Sequence, residues 1–343
     1  MTARAARYGG LPTERADPRS QGLDRLSALG IARLMNAADR QAVRAVGRAA
    51  PAIARAVDDV VSALGRGGRL IFVGAGTSGR LGVLEAAECP PTFGTPPRLV
   101  QAVMAGGRPA VFRSREGAED DARAGAREVR RHVRAGDIVV GVAASGVTPF
   151  VRGALGAARR RGAATVLVTA NPGVARRAAG RVIALRVGPE VLAGSTRLKA
   201  GTATKLTLNT LTTAAFARLG KVHGNRMVDL RPGSAKLRAR AVVLVSEMGG
   251  VRARAAAALL RSAGDRVKAA IVMARLGVGK VEAARRLDAA GGRLDAALAP
   301  GRAGAGEAAR GARGIRAGRR ATGSLGARGR RAGPSPAAKA RRG

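Results

Sequence analysis

Between Gly68 and about Ala215 the chain repeats one pattern: a short unbroken apolar run, a turn of small residues, then a stretch of helical period. The runs are RLIFVGAG, RLVQAVMAGG, GDIVVGVAASG, AATVLVTANPG and RVIALRVG. Continuous rather than alternating apolarity fits strands covered on both faces, and the helices between them supply crossovers. The pattern therefore predicts an α/β fold with a doubly wound, mainly parallel sheet. Upstream, Val43, Val46, Ile53, Val57, Val60 and Leu64 recur at the three- and four-residue steps of one helical face. Pro51 interrupts that series and predicts two helices meeting near Ala50, because a proline is comfortable in a first helical turn. Residues 1–19 are polar with Gly and Pro and read as a mobile arm.

Beyond Lys221, GNRMVDLRPGSAKL leads into helical pieces around 251–275 and 280–298, with a break at Ala-Gly-Gly near 290. These predict a small C-terminal helical cap. The expected organisation is an arm and helices over 1–58, a sheet domain over 59–222, the cap over 223–298 and a tail over 299–343. The tail carries 12 Lys or Arg against one acid and almost no large apolar residue, so it is expected to stay disordered.

Composition changes this picture little. The chain has 343 residues, 46% of them apolar, enough for one large α/β domain with helical additions. No apolar run reaches the ~18 residues of a membrane span, and the start lacks a secretory signal, which predicts a cytoplasmic protein without membrane contact. One cysteine and two histidines leave too few soft ligands for structural zinc, so no metal is expected. The net charge of +40 comes from 62 basic residues, 55 of them Arg, spread along the whole chain beside abundant Ala and Gly. That distribution, with no Trp, one Tyr and five Phe to stack on bases, argues against specific nucleic-acid binding.

The chemistry concentrates in the turns. Gly74-Ala-Gly-Thr-Ser-Gly-Arg80 follows a strand and opens a helix. Amides freed at a helix start, with Gly76 permitting close approach and Thr77 and Ser78 adding hydroxyls, suit a phosphate. Without the third glycine spacing and a ribose-binding acid, a dinucleotide is poorly supported. A second hydroxyl-rich turn, Ala144-Ser-Gly-Val-Thr148, ends the third strand and contributes Ser145, Gly146 and Thr148. Two such turns at strand ends of one sheet can converge on one phosphate. Two pairs of carboxylates, Glu85 with Glu88 and Glu116 with Glu119, are each spaced for one helical face and begin beside those strand ends. Cys89-Pro-Pro91 is expected to form a rigid, non-helical elbow that fixes Glu88.

Gly74-Ala-Gly-Thr-Ser-Gly-Arg-Leu-Gly82, Glu88-Cys-Pro-Pro-Thr92, Glu116-Gly-Ala-Glu-Asp120, Ala144-Ser-Gly146 and Gly194-Ser-Thr-Arg-Leu-Lys-Ala-Gly-Thr202 resemble, in order and spacing, the N-acetylmuramic acid 6-phosphate etherases. The resemblance runs from Leu11-Pro-Thr-Glu14 to about residue 298. Related sugar-phosphate binders, including glucokinase regulatory proteins, share parts of it. Gly30 and Ala38 stand where acids are usual, Val147 where an Arg is common and Arg226 where an apolar residue is common.

The resemblance implies the SIS fold and a lyase that removes the D-lactyl ether of a phosphorylated amino sugar in cell-wall recycling. It also implies a homodimer and no cofactor. It assigns Glu88 as proton donor and Glu119 as the other acid/base residue. Lys199 is a candidate for sugar binding or for a structural ion pair, Lys205 is a weaker candidate, and His223 reads as a packing residue. A catalytically silent sugar-phosphate sensor and an aldose-ketose isomerase are alternatives on the same fold. An unreactive sensor needs no second glutamate, and an isomerase needs no acid at the C3 oxygen.

Overall fold

The computed structural model describes residues 9–174 and 178–299. The expected disorder of the basic tail falls, but for Ala299, outside the described residues.

The five apolar runs form five parallel strands: β1 (Leu70–Gly74), β2 (Val100–Met104), β3 (Ile138–Val142), β4 (Ala164–Thr169) and β5 (Arg181–Ala184). Their order is β2-β1-β3-β4-β5, so the chain winds outward in both directions from β1 and β3. Successive residues of one strand feed two cores, which is why the runs lack alternation. Leu70 and Phe72 pack with Ile138 and Val140 on one face, and Ile71 and Val73 with Val139 on the other. The first face is covered by α1 (Ala28–Gly65), α2 (Gly76–Phe93) and, further along the chain, α5 (Lys199–Arg218). The second is covered by α3 (Ala122–His132) and α4 (Pro149–Arg160).

The cap departs from the predicted pair of helical pieces. It holds α6 (Ala235–Gly249), α7 (Ala253–Ser262), α8 (Val267–Leu276), α9 (Lys280–Ala289) and α10 (Leu294–Leu298), packed on their own apolar cluster around Val245, Leu260 and Ile271. The expected piece over 251–275 is divided at Gly264 and Asp265, both at positive φ. No described helix is long and apolar enough to cross a membrane.

Two further expectations are corrected. The helices expected to meet near Ala50 are one 38-residue helix, α1, which continues through Pro51. The proline leaves the Gly47 carbonyl without its usual donor, a local cost that the buried stripe of Ala45, Ala49, Ile53, Ala56 and Val60 outweighs. The arm is also anchored from Leu11 onward: Leu11, Thr13 and Asp17 are buried. Asn171 donates to the Thr13 hydroxyl at 3.0 Å, and Gly194 N–H donates to the Thr13 carbonyl at 3.0 Å.

Candidate active site

β1 and β3 are adjacent and in register, Gly74 opposite Val142, so the turns that follow them leave the same edge of the sheet side by side. After β1 the chain enters α2 at once. This requires glycine at the crossing, because a Cβ on Gly74 would stand 2.6 Å from the Gly79 nitrogen. Gly76 opens the helix at φ 54°, and a Cβ there would meet nothing within 4 Å, so this point faces open space. After β3, Ser145 and Gly146 lead to α4, where Ser145 Oγ lies 3.2 Å from Thr148 Oγ1 and accepts the Val147 N–H at 3.2 Å. The N-caps of the two helices, Ala75 and Thr148, make no side-chain cap bond. First-turn amides left in this way, at two neighbouring helix starts, favour a bound anion through their N–H groups and the helix dipole.

Beside the α2 start lies a cavity of about 190 Å³ lined by Gly76, Arg80, Ser114, Glu116 and Glu119. Arg80 forms its wall, its guanidinium donating to the Val111 and Ala110 carbonyls at 2.7 and 2.9 Å. Glu116 and Glu119 do not share a helical face as expected. Glu116 precedes a left-handed turn at Gly117 and accepts from Ser114 Oγ at 3.2 Å, whereas Glu119 lies in a single 3-10 turn, Ala118–Asp120. The turn carries Glu119 into the cavity beside Gly76.

Glu88 lies elsewhere. Cys89-Pro-Pro91 is not an elbow: Pro90 and Pro91 lie within α2, which ends at Gly94 in the left-handed conformation. Their missing N–H groups fall in the last turn, and the buried side chains of Cys89 and Phe93 hold that turn against the core. Glu88 is therefore twelve residues along the helix from Gly76, about 18 Å at 1.5 Å per residue. It is exposed in a second cavity of about 390 Å³ between α2 and α5, with Glu85, Thr92, Lys205, Asn209 and Thr212. In a single chain the two glutamates thus line different cavities.

Lys199 is placed at the start of α5 but turned inward. Its ammonium is buried, 3.9 Å from Asp17 and 3.2 Å from Gln41 Oε1, and burial lowers its pKa against the attraction of Asp17 and Glu190. Sequence reasoning missed Glu190. Fully buried, it accepts the Lys199 and Ala200 N–H groups at 2.9 Å each and so caps α5 from a preceding loop. Its nine-residue separation from the helix start hides it from any capping-box pattern. Of the departures, Val147 is buried behind its turn, and Arg226 pairs with Glu247 at 3.0 Å in the cap. His223 sits in a turn closed by backbone bonds to Arg226.

An open parallel sheet with two anion-ready helix starts at its carboxyl edge and a carboxylate beside them defines a phosphate-binding α/β protein. Residues 52–159 match the family described as the glucokinase regulatory protein N-terminal SIS domain. The N-acetylmuramic acid 6-phosphate etherase of Trichormus variabilis is 50% identical over 283 residues, 82% of this chain and 92% of that protein. That of Symbiobacterium thermophilum is 55% identical over 241 residues, 70% of this chain and 80% of that protein. That of Rubrobacter xylanophilus is 52% identical over 287 residues, 82% of this chain and 95% of that protein. The chain belongs to the N-acetylmuramic acid 6-phosphate etherase family.

Proposed function

We propose that this chain cleaves the D-lactyl ether of N-acetylmuramic acid 6-phosphate, giving N-acetylglucosamine 6-phosphate and D-lactate. Beyond membership of the family, the observation that carries this reading is the placement of Glu119 in the cavity at the α2 start, beside the expected phosphate seat. The sugar phosphate rests on Gly76, Thr77 and Ser78 of the first turn and on Ser145, Gly146 and Thr148 of the second. With the ring open, the C1 aldehyde acidifies the C2 proton. Glu119 takes that proton, the C2–H electrons form an enolate, and these then expel the C3 oxygen, which receives a proton from Glu88. Water adds to C3 of the resulting double bond and a proton returns to C2, so the net change is hydrolysis of the ether.

Glu88 of the same chain does not reach this sugar, because about 18 Å of helix exceeds the length of an extended hexose phosphate held at the turn. The centre is therefore completed by a second copy of the chain, which brings its own Glu88 to the C3 oxygen. A homodimer follows from this need rather than from any apolar face.

Turnover in oxygen-18 water tests the reaction. Elimination breaks the C3–O bond, so the label is expected at C3 of the amino sugar while lactate keeps its original oxygen. Tight binding of the substrate without lactate release would make the protein a sensor, and label in lactate would mean attack on the lactyl carbon.

Ser78→Ala and Ser145→Ala each remove a hydroxyl donor to a charged phosphate, a bond worth about 1.5–3 kcal/mol. Each is expected to raise KM by about 10- to 100-fold with kcat less affected. Steady-state kinetics with the phosphorylated substrate measures this, and an unchanged KM for both returns the turns to a purely structural role.

A further inference from the structure

The cavity that holds Glu88 contains a built arrangement for which elimination chemistry alone has no use. Lys205, Asn209 and Thr212 follow one another at four- and three-residue steps along α5, on the face turned to α2. The Lys205 ammonium donates to Asn209 Oδ1. Asn209 Nδ2 then donates to Glu85 Oε2 at 2.6 Å, and the Thr212 hydroxyl donates to the other Glu85 oxygen. Glu85 is buried one helical turn before Glu88. Burial raises its pKa, and the Thr212 hydroxyl, the Lys205 charge and the Asn209 amide oppose that rise.

An exposed lysine on a helix ordinarily samples many rotamers, and that freedom is lost when it binds. Here the amide of Asn209 holds the ammonium in the Glu88 cavity, and with one of its three N–H donors used, two remain for a ligand. The substrate supplies a matching group. The lactyl carboxylate is attached to the carbon that bears the ether oxygen, so a group that grips it must lie beside the acid that protonates that oxygen. An arriving carboxylate meets the Lys205 ammonium at the mouth of this cavity, a charge-assisted pairing.

We propose that Lys205 binds the lactyl carboxylate and selects the substrate's leaving group, with Asn209 and Glu85 as positioning residues behind it. This rests on the etherase reading. The phosphate turns recognise the sugar end, and the α2–α5 cavity recognises the lactyl end.

The test compares two ethers in wild type and Lys205→Met: the lactyl substrate and its 3-O-ethyl counterpart, which lacks only the carboxylate and the stereocentre it creates. Lys205→Met is expected to lower kcat/KM for the lactyl ether by about 10- to 100-fold, the value of a hydrogen bond to a charged group. For the ethyl ether it should change kcat/KM by less than about twofold, well under that value, which also shows that the variant is folded. Where ethyl turnover is too slow to time, its inhibition constant against the lactyl substrate is read instead. An equal loss on both ethers overturns the proposal alone and makes Lys205 a support for Glu88. Failure of the wild type to cleave either ether overturns the etherase reading and this proposal with it.

Discussion

Glu119→Gln is expected to leave the fold intact and to stop both lactate release and exchange of the C2 proton with solvent. Glutamine keeps the size and hydrogen bonding of the side chain but cannot accept the proton, and a positioned base contributes about 10²–10⁴-fold. The side chain is exposed in a short 3-10 turn, so the substitution disturbs no core. Glu88→Gln is expected to reduce lactate release by a similar factor while C2 exchange persists, because enolate formation does not require protonation of the leaving oxygen. NMR of deuterium at C2, read beside lactate release, separates the two steps. Robust lactate release by both variants would remove the two-carboxylate mechanism, and exchange retained only in Glu119→Gln would reverse the roles.

The parts of the molecule legible in the sequence are those set by local pattern. The central strands β1 and β3 could be read because every residue of each is buried, which writes an unbroken apolar run into the chain. The α2 start was legible because close backbone crossing at Gly74 and Gly79 admits little but glycine. What escaped depends on distant partners. The penalty of Pro51 is local, but the burial that overrides it comes from the sheet and α5. The arm looks mobile until Thr13 finds Asn171, 158 residues away. Cys89-Pro-Pro91 reads as a helix breaker only if the packing of Cys89 and Phe93 is left out.

The site divides along the same line. The glutamates were legible as residue types near hydroxyl-rich turns, yet a motif carries no distance. Only the unbroken course of α2 shows Glu88 to be displaced along the helix from Gly76. The reading of Glu116 and Glu119 as a helical pair failed because Gly117, at φ 75°, reverses the chain between them. Lys205 stood out only as a weaker candidate in the sequence, and its significance comes from Asn209 and Glu85, the latter 124 residues from the amide that holds it.

The central claim is that Glu119 of one chain and Glu88 of another act on the same sugar. The direct measurement is the activity of a mixed dimer, made by co-expressing differently tagged Glu88→Gln and Glu119→Gln chains and isolating the species that carries both tags. Each parent homodimer has the same lesion in both centres and is expected to be inactive. In the mixed dimer, a shared centre places both lesions in one site and leaves the other with both glutamates, so lactate release should return to about half the wild-type rate per dimer. If each centre were instead contained within a single chain, every site of the mixed dimer would keep one lesion. Lactate release no greater than that of the parents would then contradict the shared centre.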